Sequence, residues 1–157
     1  MVQSPTIEDF FREHSSAVYA YCVSLCRDQT WAEDLMQDTF VKATRVLGSY
    51  RGGNPRSWLF AIARTTFIDD VRKRRPIPTA DFKSSPVVDP DVAEMDVLER
   101  VVRRLPDRQR VALLLCDLGG MGPAEIGEEM GISSGAAKVL VHRARVKFRK
   151  AYEEESG

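Results

Sequence analysis

Residues 119–150 constrain this chain more than any other stretch. They read Gly-Gly-Met-Gly-Pro-Ala-Glu-Ile-Gly-Glu-Glu-Met-Gly-Ile-Ser-Ser-Gly-Ala-Ala-Lys-Val-Leu-Val-His-Arg-Ala-Arg-Val-Lys-Phe-Arg-Lys. Proline suits a first helical turn, so a short helix is expected from Pro123, with Ile126 and Met130 as its apolar edge. Gly131 supplies a turn that residues with a Cβ resist. Ser133 or Ser134 can cap a second helix by accepting a backbone N–H. In that helix Ala137, Val141, Ala144 and Phe148 recur at i, i+4, i+7 and i+11, which is one buried stripe. Its other faces carry Lys138, Arg143, Arg145, Lys147, Arg149 and Lys150, and no acid interrupts Ser133 to Lys150. Two short helices about a glycine turn, the second basic, describe a helix-turn-helix whose second helix enters the DNA major groove. The plain alternative is a helical hairpin with a solvated basic face; turn, stripe and charge together favour DNA.

The remainder of the chain reads as helical too. Thr6 is placed to cap a first helix, with Glu8 and Asp9 in its first turn and Phe10, Phe11, Val18, Cys22 and Leu25 as its apolar face. Thr30 and Glu33 stand at capping-box spacing before a second helix. There Ala32, Leu35, Met36, Phe40, Ala43 and Leu47 line one side, and Asp34, Gln37, Asp38, Val41 and Arg45 the other. That second face is solvated surface or a docking face. Gly48 to Pro55 is a loop by its glycines. It holds Tyr50, Arg51, Asn54 and Arg56, which can stack on or hydrogen-bond a base; alternatively it only connects, with Asn54 as a helix cap. Residues 56–75 are expected to form a helix whose first half is apolar nearly all round, through Trp58, Leu59, Phe60, Ile62, Ala63, Phe67 and Ile68, so neighbours must wrap it. Its end, Val71-Arg-Lys-Arg-Arg75, complements the helix dipole, but four charges exceed what that needs, and phosphate contact is the sharper reading.

Residues 76–95 hold four prolines, four acids and one lysine, the composition of a flexible linker. Short helices follow over 96–105 and from Leu105-Pro-Asp-Arg-Gln-Arg110, the latter with Val111, Leu114, Leu115 and Leu118 inward and Cys116 joining that packing. The acidic tail Glu153–Glu155 is expected to fray. No strand pattern appears. The expected fold is therefore all-α: two small helical domains, 1–75 and 96–157, joined by an acidic, proline-rich linker at 76–95.

Several function classes fall away. Net charge is zero over 157 residues, which opposes indiscriminate coating of nucleic acid and favours local, positioned contacts. There is no signal peptide and no apolar run of membrane-spanning length, so a cytoplasmic protein without membrane insertion is expected. Three cysteines make no disulfide framework, and Cys22 and Cys26, four apart, lack a second ligand pair for a metal; core packing is their expected role. Gly119-Gly-Met-Gly122 has no preceding strand and no Lys-Ser/Thr of a phosphate loop. His14 and His142 belong to no nucleophile motif. No catalytic residue, metal or cofactor is implied.

Two motif sets carry a resemblance. Ala32-Glu-Asp-Leu-Met-Gln-Asp-Thr-Phe40, Arg51-Gly-Gly with Ser57-Trp-Leu-Phe-Ala-Ile-Ala-Arg64, and Asp69-Asp-Val-Arg-Lys-Arg74 form one. Leu105-Pro-Asp-Arg-Gln-Arg110 with the helix from Gly131 to Arg145 forms the other. In this order, with a linker between, they resemble the extracytoplasmic-function group of sigma-70 factors along nearly the whole chain. The resemblance implies a transcription initiation factor with core RNA polymerase and promoter DNA as partners, contacting the β′ coiled coil and the β flap, and an anti-sigma factor as inhibitor. It implies that Asp34, Leu35, Gln37, Asp38 and Val41 meet polymerase, Leu35 indirectly because it lies in the inward stripe. Tyr50, Arg51, Asn54 and Arg56 correspond to a pocket for a base flipped from the −10 element. Trp58, Arg64, Thr65, Arg72, Lys73 and Arg74 follow on the −10 reading and melting helix. Ser134, Gly135, Lys138, Val139, Leu140, His142, Arg143 and Arg145 correspond to the −35 reading helix. Three positions depart from the family: Thr65 replaces a common Asn, and Val139 and Leu140 replace Ser and Arg. Leu140 either widens the core stripe or meets a thymine methyl. A different class, a stand-alone helix-turn-helix regulator, needs neither the glycine loop nor the basic 72–75 end.

Overall fold

The computed structural model describes residues 6–74 and 97–157. The expected linker, Arg75, Asp96 and the side chain of Arg74 lie outside the described residues. The fold is all-α, with no strand among the described residues. Two compact units divide the chain, Met1–Val88 and Asp89–Gly157.

The first unit contains α1 (Ile7–Cys26), α2 (Gln29–Arg45), a short 3₁₀ turn at Leu47–Ser49 and α3 (Pro55–Arg74). Each long helix packs on the other two. Helix α1 starts at a full capping box: Thr6 Oγ1 accepts from the Asp9 N–H, and the Thr6 N–H donates back to Asp9. That pairing satisfies two donors a helix start otherwise leaves open. It also holds the Asp9 carboxyl below its ordinary range. Helix α2 is capped by Asp28 rather than Thr30, because Asp28 Oδ1 accepts from both Thr30 and Trp31 N–H. Arg27, in the left-handed region at φ 55°, turns the chain so that this carboxylate reaches them.

Val18, Tyr21, Cys22, Ala32, Leu35, Ala43, Leu59, Phe60 and Ala63 are fully buried. The Tyr21 and Phe60 rings lie nearly parallel with centroids 4.5 Å apart, tying α1 to α3. Burial pushes the Cys22 thiol up to about 12, so it acts as a small apolar filler. Thr39 and Thr66 are buried as well, each hydroxyl donating to the carbonyl four residues back at 2.7 Å, which removes the cost of an unpaired buried hydroxyl. Phe11, expected inward, is 46% exposed. It is one helical step off the buried line of Phe10, and covers Phe40 edge-on at 5.1 Å. Leu25 is half-buried.

The second unit contains α4 (Val97–Arg103), α5 (Asp107–Asp117), α6 (Pro123–Met130) and α7 (Ser134–Ser156). Helix α7 packs on the other three. Ser133, not Ser134, is the cap, accepting from the Ala136 N–H at 3.1 Å. Gly131 closes α6 at φ 71°, the left-handed conformation only glycine adopts freely. Ala137, Val141 and Ala144 are buried as the stripe requires, and Phe148 is half-buried against Leu105, Leu113 and Ala144. The acidic tail does not fray. Helix α7 runs on to Ser156, where Glu154 accepts from Arg104 at 2.6 Å and Glu155 from Arg100 at 3.3 Å. The cations of α4 give the tail acids a partner that local sequence could not reveal.

One glycine in the turn has no room for a side chain. A Cβ on Gly127 would lie 2.6 Å from the Ile132 carbonyl oxygen, a backbone atom fixed because the Ile132 N–H donates to Gly127. Gly127→Ala should therefore destabilise the chain by about 1–3 kcal/mol. Gly135→Ala, with nothing nearer than 4.0 Å, should stabilise it by about 0.4–1 kcal/mol. Urea denaturation followed by helical circular dichroism checks both; equal midpoints for the two variants would contradict the crowding at Gly127.

Candidate nucleic-acid interface

The second unit presents its basic helix as a surface. Ser134, Gly135, Lys138, His142 and Arg143 are exposed on α7, Val139 is 47% exposed, and Leu140 is half-buried, between its two expected roles. Lys138, His142 and Arg145 follow one another at i, i+4 and i+7. They rim a shallow depression of about 310 Å³ whose wall is Met121, Pro123, Ile126 and Val141. Arg145 differs from the others: its guanidinium donates to Asp117 at the end of α5 at 2.7 Å. Asp117 raises the Arg145 pKa through that bond. About half of each side chain is exposed, and pairs of this kind contribute at most about 1 kcal/mol. Arg145 is thus oriented by the protein rather than extended into solvent.

The first unit presents two further surfaces. On α2, Asp34, Gln37, Asp38 and Val41 form an exposed ridge at i, i+3, i+4 and i+7, with Val41 52% exposed. Leu35 is fully buried beneath it, consistent with a supporting rather than touching part. On α3, Trp58, Thr65 and Arg72 recur every seven residues along one side. Thr65, Arg72 and Lys73 are exposed, and Trp58 and Arg64 half-buried. Ile68, expected to be core, is 42% exposed and stands on this side between Thr65 and Arg72.

The loop before α3 is built rather than loose. The Tyr50 ring packs on Phe10 and Trp58 with centroids 5.2 and 5.3 Å apart, and its hydroxyl donates to the Gly53 carbonyl. Gly52 takes φ 82° to fold the loop back. Asn54 caps α3, accepting from the Arg56 N–H at 3.0 Å and, more weakly, from Ser57. The helix cap expected at Asn54 is therefore present, and Arg51 is exposed beside it. Arg56 is half-buried, its Nε donating to His14 Nδ1 at 3.2 Å.

Residues 10–77 match the family model for sigma-70 region 2, and residues 95–148 the one for sigma-70 region 4. The chain is 32% identical to the ECF RNA polymerase sigma factor SigM of Bacillus subtilis, over 94% of this chain and 95% of that one. The chain belongs to the ECF sigma factors. It is also 32% identical to the RNA polymerase sigma factor CarQ of Myxococcus xanthus, over 94% of this chain and 89% of that one. It is 31% identical to the ECF RNA polymerase sigma factor SigE of Mycolicibacterium smegmatis over 92% of its own length, and spans 61% of SigE. Among solved structures it resembles the sigma factor RpoE of Bartonella quintana, solved in complex with the anti-sigma factor NepR. The TM-score is 0.68 with 27% identity, over 93% of this chain and 98% of that one.

As a sigma factor, the chain carries its candidate nucleic-acid groups on α7, on the loop before α3 and on the exposed side of α3. The sequence placed Ile68 in the core, because an all-round apolar helix hides which face is left open, and gave His14 no part in a site. Among the described residues no helix is long and apolar enough to cross a membrane, and no cluster of three or more His, Cys, Asp or Glu gathers as for a metal.

Burial first, and then the Arg56 charge, lower the His14 pKa, against the opposing pull of Glu13. An unfolded chain then binds the proton at a pH where the folded one does not. Stability from this group is complete above the ordinary histidine value of 6.5 and lost as pH falls below it. Denaturation midpoints measured from pH 8 down should decline more steeply in the wild type than in His14→Asn; parallel curves would contradict the shift.

Proposed function

We propose that this sigma factor directs core RNA polymerase to promoters through two separate DNA surfaces, and that the domains divide at 1–75 and 96–157 around a linker at 76–95. Helix α7 reads the −35 element from the major groove with Ser134, Gly135, Lys138, Val139, Leu140, His142, Arg143 and Arg145. The loop Tyr50–Arg56 and the exposed side of α3, through Trp58, Arg64, Thr65, Arg72, Lys73 and Arg74, hold and open the −10 element. The α2 ridge of Asp34, Gln37, Asp38 and Val41, backed by Leu35, meets the β′ coiled coil, and the second unit meets the β flap. The chain acts without catalytic residues of its own, in the cytoplasm, where polymerase and promoters are. An anti-sigma factor is a fitting inhibitor, since the similar RpoE was solved in complex with one.

The observation that carries this reading is the charge layout of α7. Its exposed middle carries cations and no acid, and its acids sit at the far end, where Glu154 and Glu155 pair with Arg104 and Arg100. A major-groove helix needs that segregation, because a stray carboxylate near the phosphates costs binding. On α3, an aromatic and cationic side beside a folded loop suits a displaced single strand: aromatic groups stack on bases and cations follow the backbone. Extruding a base costs a few kcal/mol, which pocket contacts offset.

Run-off transcription with core polymerase and a random-promoter library tests the reading. Transcripts sharing two elements at fixed spacing are expected. Transcripts absent while the protein alone shifts duplex DNA would favour a stand-alone regulator instead. On the recovered promoter, Lys138→Ala should weaken holoenzyme binding and reduce the logarithmic salt slope by about one. An unchanged affinity and slope would refute the proposed orientation of α7.

A further inference from the structure

Ile68 faces away from the core that its own helix serves. Helix α3 buries Leu59, Phe60, Ala63 and Thr66. Leu59 stands nine residues before Ile68, about two and a half turns, and therefore on the opposite side of the helix. Among the described residues of α3, only Thr65, Ile68, Arg72 and Lys73 are exposed. Thr65, Ile68 and Arg72 stand at i, i+3 and i+7 and form one ridge, with Lys73 beside its end. A single exposed isoleucine on an ordinary surface needs no explanation. This one occupies the middle of a ridge whose other members are a hydroxyl and a guanidinium. The two acids of the helix are turned toward α2, where Asp70 accepts from the Trp31 indole at 3.5 Å and Asp69 lies 3.9 Å from Lys42. The ridge itself carries cations and no acid, which complements the phosphates of promoter DNA.

We propose that Ile68 is a specificity-determining residue that selects a thymine of the −10 element by packing on its C5-methyl. The inference rests on the reading of the exposed side of α3 as the −10 surface. An isoleucine side chain forms no hydrogen bond, so it cannot read the donors and acceptors of a base edge. Thymine alone among the four bases presents a methyl group there. Any other base would set a polar edge against the side chain, stripping its water without replacing the lost hydrogen bond. A β-branched side chain is stiff at χ1, so holding it against a methyl costs little rotamer entropy. It has no π face with which to stack on an unpaired base. The flanking cations fix the DNA backbone and give no sequence information, whereas the apolar group between them reads the base.

The experiment uses holoenzyme on the promoter recovered by run-off selection, with each −10 thymine replaced in turn by uracil. Uracil removes the methyl and keeps the pairing edge. At one position it should weaken wild-type binding about fourfold, the equivalent of one buried methyl. Ile68→Ala should bind the thymine form as weakly as the uracil form, while Ile68→Val, which keeps the branched methyl groups, should retain the discrimination. Repeating the library selection with Ile68→Ala should return −10 elements in which that thymine is no longer preferred. If Arg72→Ala and Lys73→Ala each leave affinity and its salt dependence unchanged, both the −10 reading of α3 and the proposal fall. If either weakens binding, but Ile68→Ala still discriminates thymine from uracil as the wild type does, the −10 reading stands and the thymine role is overturned. A wild type indifferent to uracil at every −10 position overturns it equally. In that case, restoration of Ile68→Ala binding by an unpaired −10 bubble would identify the side chain as a strand-separating wedge instead.

Discussion

Helix α3 has to be core and interface at once, and the stacking of Phe60 on Tyr21 decides how it divides. With the two rings parallel and in contact, one rotation of α3 about its axis remains. That rotation buries Leu59, Phe60, Ala63 and Thr66, a strip at i, i+1, i+4 and i+7. The remaining circumference must then carry Trp58, Thr65, Ile68 and Arg72. A helix this apolar gives little guidance by amphipathicity, so large aromatic contacts, each removing much area from water, do the orienting. The α2 side is fixed by weaker means: Trp31 packs on Phe67 and its indole N–H reaches Asp70 at 3.5 Å, while Lys42 lies 3.9 Å from Asp69. The acids of α3 thereby turn toward α2, while Arg72 and Lys73 stay exposed.

Helix α7 meets the same demand with small residues. Ala137, Ala144 and Ala151 are buried against neighbours, and an alanine stripe lets helices approach closely while placing few constraints on the outer face. That outer face can then carry Lys138, Arg143, Arg145, Lys147, Arg149 and Lys150. Repulsion among its charges is limited because the acids at the helix end are paired across to α4, and Arg145 is paired across to Asp117.

Local chemistry was legible in the sequence wherever a few neighbouring residues decide it. The Thr6 cap, the proline start of α6, the Gly131 turn and the stripe of α7 all depend on residues within about one helical turn of each other. Where two neighbours competed, the wrong one could be chosen: Thr30 has the better motif, but Asp28 has the carboxylate and the preceding left-handed Arg27. Long-range pairings left no local mark. The tail acids read as frayed because Arg100 and Arg104 are some fifty residues away. Phe11 read as core because its neighbour Phe10 is. The candidate site could be read from the sequence only as a set of residue types on expected helices and a loop. Its internal arrangement, above all Tyr50 folded onto Phe10 and Arg56 held by His14, required the packing of α1 against the loop.

Zero net charge follows from the same division of labour. Each candidate DNA surface is small, and each has its compensating acids built into the unit that carries it: Asp69 and Asp70 behind α3, Glu154 and Glu155 beyond α7. Distant DNA therefore meets a nearly neutral molecule, and long-range attraction is weak beyond a Debye length of about 8 Å. Binding has to come from contacts that exist only when both surfaces are in register. Two modest contacts held at fixed spacing gain from the effective concentration of the second site once the first is engaged. They gain nothing on a molecule free to vary that spacing widely. Affinity is then a property of whatever body fixes the distance between the units, and a sigma factor of this charge layout has little to gain from DNA alone.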